Sequence, residues 1–82
     1  MDDAYEAVGL RDNGDVYAVE VLGQKTQSFA ADLAQQWADR WGTPVNLYRV
    51  PFVSVGKQWR PEQMKLVQQF LPTRYVNRQG AA

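Results

Sequence analysis

The chain has 82 residues, with nine Lys or Arg, nine Asp or Glu, no histidine and no cysteine. Those absences exclude imidazole acid–base chemistry, thiolate nucleophiles, disulfide staples and His/Cys metal centres, and the length leaves room for one domain, residues 1–82. The formal net charge is zero, but residues 1–24 hold Asp2, Asp3, Glu6, Asp12, Asp15 and Glu20 against Arg11 alone, net −5, while residues 57–82 hold Lys57, Arg60, Lys65, Arg74 and Arg78 against Glu62, net +4.

Ala4 to Leu10 and Val16 to Leu22 alternate as two strands of a hairpin around Asn13-Gly14. A two-residue type I′ turn requires positive φ at both positions, which Asn and Gly tolerate best. That register sets Leu10 against Tyr17, Val8 against Val19 and Glu6 against Val21 on one face, the expected core face. Gly9–Ala18, Ala7–Glu20 and Tyr5–Leu22 fall on the other, a shallow and partly apolar surface.

Ser28 suits a helix N-cap. Ala30, Leu33, Ala34, Trp37, Ala38 and Trp41 follow at helical spacing, with Asp32, Gln35, Gln36, Asp39 and Arg40 opposite. Gly42 supplies a left-handed end, and Pro44 blocks continuation. Trp37 and Trp41 are thereby expected in the core.

Val45 to Val50 reads as a third strand beside the first, which leaves Tyr48 and Arg49 on opposite faces. Pro51 interrupts it, so Phe52 to Val55 is a bent continuation or a short edge strand. Gly56 to Arg60 reads as a loop. Pro61 suits the first position of a second helix and Glu62 its dipole; Met64, Val67 and Leu71 mark one side, and Pro72 ends it. Residues 72–82 form a basic tail, its last residues expected to be disordered. The expected class is α+β, in the order β-β-α-β-(β)-α.

Few of the chemistry-bearing patterns point to catalysis. Asp12 and Asp15 flank a turn tip, the opposite of the desolvated cleft that acid–base carboxylates need. Their spacing also lacks the further oxygen ligands of a calcium loop. No metal, cofactor or enzymatic activity is expected. The acidic hairpin is instead a candidate contact for a basic groove. Trp59, Arg60, Arg74 and Tyr75 mix cations with rings, as binding surfaces for proteins and nucleic acids do. Trp59 either covers the end of the core or stands exposed as an anchor. Three Trp, four Tyr and three Phe are many for one small core, so an exposed aromatic or a homodimer is expected, with monomer and dimer both open.

No apolar run approaches the roughly 20 residues of a membrane span. Met1 is followed by Asp2 and Asp3, where a secretory signal carries positive charge. A cytoplasmic location is therefore expected.

The hairpin, the capped amphipathic helix ending in Trp41-Gly42-Thr43-Pro44-Val45, and the strand after it resemble in organisation the small accessory proteins of phages and mobile elements, the anti-CRISPR proteins among them. The layout is also compatible with antitoxin-like or transcription-modulating domains. That resemblance implies a cofactor-free inhibitor in the host cytoplasm, which blocks a defence or nucleoprotein complex by covering its surface. The alternative is a small nucleic-acid-binding or transcription-modulating protein that uses the basic C-terminal region.

Overall fold

A computed structural model describes residues 3–55, 58–61 and 63–73. Six strands and one helix follow in the order β1 (Ala4–Leu10), β2 (Val16–Gln24), α1 (Gln27–Trp41), β3 (Val45–Val50), β4 (Phe52–Val55), β5 (Gln58–Pro61) and β6 (Lys65–Phe70). Four of the strands form an antiparallel sheet in the order β2-β1-β3-β6. The α+β class and the β1-β2-α1-β3 core of the expected order are present. β3 lies beside β1 as expected, and α1 carries the chain over β1 from β2 to the parallel β3.

The β1–β2 connection differs from the expected two-residue turn. The Gly14 N–H donates to the Arg11 carbonyl at 2.9 Å, and the Arg11 N–H donates to the Asp15 carbonyl at 2.7 Å. Gly14 takes φ +90°, and no non-glycine residue among those described has positive φ. This is a three-residue loop that ends on a left-handed glycine, which introduces a bulge. Leu10 consequently pairs with Val16, and Tyr17 is the extra residue. The register from Glu6–Val21 to Gly9–Ala18 is the expected one. A second bulge sets Tyr5 against Gly23 and leaves Leu22 as the extra residue.

The core lies on the face opposite to the one expected. Tyr5, Ala7 and Leu22 join Val45 and Leu47 under α1, whereas on the expected face Val8 is buried but Val19 and Val21 are exposed. The reason is steric. The inner stripe of α1 is Ala30, Ala34 and Ala38, all fully buried. Such a smooth stripe approaches the small-residue face of β1, where Ala7 and Gly9 stand, more closely than it would a face of valines. The core then depends on backbone proximity as much as on side-chain bulk.

The helix begins one turn-fragment earlier than expected. Thr26, not Ser28, is the N-cap, and its Oγ1 accepts from the Phe29 N–H at 3.3 Å. Gly42 closes the other end with φ +67°, its N–H donating to Ala38 at 2.9 Å. The chain returns at once to β1: Leu10 N–H donates to Pro44 at 2.9 Å, and the Thr43 hydroxyl donates to the Leu10 carbonyl.

The expected second helix is absent: residues 65–70 are strand β6 on the outer side of β3. Its apolar residues mimic helical spacing because of a bulge. Leu47 faces Gln68 and Tyr48 faces Leu66, which leaves Val67 as the extra residue. A bulge turns the two-residue period into a three-residue one, so Val67 and Phe70 both pack on the core. The expected loop at 56–60 also contains strand: β5 pairs with β4 in a separate two-stranded ribbon.

Candidate functional site

Among the described residues two unpaired edges, β2 and β6, bound the sheet. On the β6 side, the chain after the strand is tied to α1. Gln35 Nε2 donates to the Leu71 carbonyl at 2.8 Å, Asp39 accepts from the Thr73 N–H at 2.7 Å, and Pro72 between them is fully buried. On the β2 side no strand or strap covers the edge among the described residues. β2 exposes four large apolar side chains: Val16 at 57%, Tyr17 at 49%, Val19 at 50% and Val21 at 67%.

The loop bulge turns Tyr17 toward the helix, where its ring meets Trp41 edge-on at 6.1 Å. Trp41 in turn lies 4.7 Å from Trp37. The Arg11 guanidinium sits over Tyr17 at 5.6 Å, and that of Arg40 over Trp37 at 5.2 Å. Three rings thus run in a row from the edge strand onto the helix, with a cation over each end. Trp37 and Trp41 pack against the core, as expected from the helical stripe, but are only partly buried. Leu33, Trp37 and Arg40 recur at helical spacing on this same flank. With Gln36 they line an open pocket of about 300 Å³.

The sheet face away from α1 completes the surface. Its β2–β1 half carries Val19 and Val21 beside Val8 and Glu6. Its β3–β6 half carries a polar network beside the exposed Leu66: Asn46 Nδ2 donates to the Tyr48 hydroxyl at 3.3 Å, and Gln69 Nε2 donates to Asn46 Oδ1 at 3.0 Å. Four of the exposed large apolar side chains lie on β2, and a smaller group, Met64, Leu66 and Leu71, lies in and around β6. Tyr48 and Arg49 are both half-buried, and Arg49 lies 3.7 Å from the Asp3 carboxylate.

The six residues singled out in the sequence are scattered. Asp12 and Asp15 lie in the exposed β1–β2 loop, where the Asp15 carboxylate accepts from Asn13 Nδ2 at 3.1 Å and the Asp15 N–H donates to Asn13 Oδ1 at 3.0 Å. These are turn-stabilising bonds. The loop also places both acids at the entrance to β2. Trp59 and Arg60 lie on β5, opposite Ser54 and Val53, in the ribbon outside the four-stranded sheet. Arg74 and Tyr75 lie outside the described residues. Sequence reasoning missed Val19, Val21 and the Tyr17–Trp41–Trp37 row. The available signal was the stripe Ala30-Ala34-Ala38, which selects the opposite face of the hairpin for the core.

Among the described residues, no group of three or more Asp or Glu side chains is placed to hold a metal ion, and no helix is long and apolar enough to cross a membrane. No family model, no curated protein and no solved structure matches the chain.

Proposed function

We propose that the chain is a non-enzymatic, cytoplasmic protein-binding module that acts by covering a surface of a macromolecular partner, with β2 as its docking strand. The supporting observation is the exposure of Val16, Tyr17, Val19 and Val21 on one unprotected edge strand. Scattered exposed apolar residues are ordinary, but a contiguous set along a sheet edge is a liability that domains usually blunt. The other edge strand, β6, is also unpaired on its outer side among the described residues, but within its span only Leu66 is a largely exposed large apolar side chain. Inhibition of a defence or nucleoprotein complex by occlusion needs nothing beyond such a surface.

A second reading, nucleic-acid binding, draws on the row of three rings between Arg11 and Arg40. Against it, Asp12 and Asp15 stand at the β2 end of that row, and phosphate contacts are disfavoured beside carboxylates.

The test is affinity capture from lysate with nuclease, comparing the parent with a Val19→Thr, Val21→Thr variant that keeps β-branched shape but removes apolar surface. A stoichiometric protein held by the parent and lost by the variant is expected. Equal capture by both, or recovery of nuclease-sensitive material alone, contradicts the reading.

A further inference from the structure

We infer that the partner element received at β2 is an extended, basic segment that adds to the sheet as a fifth strand. This inference rests on the protein-binding reading and specifies the chemistry of what binds. Three observations carry it.

The first is geometric. Between its two bulges β2 pairs regularly with β1, from Ala18–Gly9 to Val21–Glu6. In that regular run alternate residues turn their N–H and C=O groups away from β1, and such outward groups are the recognition element of strand addition. Tyr17 and Leu22, the two bulged residues, turn into contacts with α1 and the core and so mark the ends of the receptive run.

The second is the helix flank beyond that edge. A strand laid beside β2 sends alternate side chains to the two faces of the sheet. On one face they extend the Val19–Val21 surface. On the other they pass toward the open pocket of Leu33, Gln36, Trp37 and Arg40, about 300 Å³ in volume, where the aliphatic stem of a long side chain can lie along the Trp37 ring. Leu33 and Trp37 lie half-buried there, beside the Tyr17–Trp41 contact through which α1 reaches β2.

The third is charge. Asp12 and Asp15 stand at the start of β2, Glu6 lies opposite Val21, and Glu20 is within the strand. The nearby cations are each placed over a ring: Arg11 over Tyr17, Arg40 over Trp37 and Lys25, just after β2, over Phe29. A segment in which apolar residues alternate with Lys or Arg meets this edge with complementary charge. A second copy of the chain pairing β2 with β2 brings the same acids together, and like-charge juxtaposition disfavours it.

The test uses two synthetic eight-residue peptides with alternating valines, one carrying lysine and the other glutamate at the intervening positions. Each is titrated into the full chain, and amide chemical shifts and hydrogen exchange are read residue by residue. The lysine peptide is expected to shift and protect amides within residues 16–22 and to move the Trp37 indole signal. The glutamate peptide should bind about tenfold more weakly or worse. Val21→Lys, an exposed position that tolerates a cation beside Glu6, should weaken the lysine peptide by about tenfold, with thermal unfolding unchanged. Equal binding of both peptides, perturbation confined to other residues, or concentration-dependent self-association through residues 16–22 overturns the inference. If the captured partner still depends on Val19 and Val21 while the lysine peptide fails, strand addition by a basic segment is wrong and the protein-binding reading survives.

Discussion

Gly9→Ala tests the packing that creates the site. Gly9 lies on β1 beneath the last turn of α1. A Cβ built on it would meet Trp41 Cε3 at 2.7 Å, Trp41 Cζ3 at 3.0 Å and Thr43 Cγ2 at 3.5 Å. The indole cannot easily withdraw, because Trp37 is 4.7 Å away on one side and Tyr17 6.1 Å away on another. Gly42, the next residue, is fixed as the left-handed helix end. Forcing one methyl into a packed site costs roughly 1–3 kcal/mol. Removing a glycine from a strand returns about 0.5–1 kcal/mol through the unfolded state. The net loss is then about 1–2 kcal/mol, which lowers the midpoint of a domain this size by roughly 5–15 °C. Thermal unfolding by far-ultraviolet circular dichroism measures it, and the near-ultraviolet aromatic signal should fall because the ring row is displaced. In a Trp41→Leu background the same change should be close to neutral. A Gly9→Ala protein that melts at or above the parent, with its aromatic signal intact, would refute the claim that backbone proximity at Gly9 sets the Trp41 position.

Four other outcomes follow from the geometry. Thr26→Ala should destabilise by about 1 kcal/mol as the loss of an N-cap, whereas Ser28→Ala should stay within about 0.5 kcal/mol; urea unfolding of the pair separates the two assignments. Gly42→Ala should cost about 1–2 kcal/mol because an L side chain is strained at φ +67°, again read from the unfolding midpoint. Asp39→Ala removes the acceptor of the Thr73 N–H, so amides at residues 71–73 should exchange faster while those of β1 keep their protection. Reversing Asp12 and Asp15 to lysine should slow association with the captured partner, by about tenfold at low ionic strength and less at high salt; an unchanged association rate would remove electrostatics from the account.

The parts legible in the sequence are those set by local chemistry. The hairpin, the long helix with its Gly42 end, and β3 beside β1 all follow from alternation, helical spacing and turn residues. Three errors share one cause, the inserted bulge residue. The loop bulge at Tyr17 shifts the end of the hairpin register. The bulge at Leu22 brings an extra apolar residue into the core. The bulge at Val67 makes a strand look helical. A bulge is chosen by tertiary packing and leaves no period of its own. The inverted core face is a different case, since alternation alone ranks a valine face above an alanine face, and only the alanine stripe of α1 reverses that order. The candidate site inherits both effects. Its exposed valines result from the inversion, and its ring row results from the Tyr17 bulge. The basic cluster read in the sequence has Trp59 and Arg60 on the separate β4–β5 ribbon, apart from β2.

The most direct measurement is amide hydrogen exchange on the complex with the captured partner, compared with the free chain. The account predicts new protection concentrated in residues 16–22, with smaller changes around Leu33 and Trp37. Protection confined to residues 58–61 and the basic region after them, with β2 exchanging as in the free chain, would contradict it.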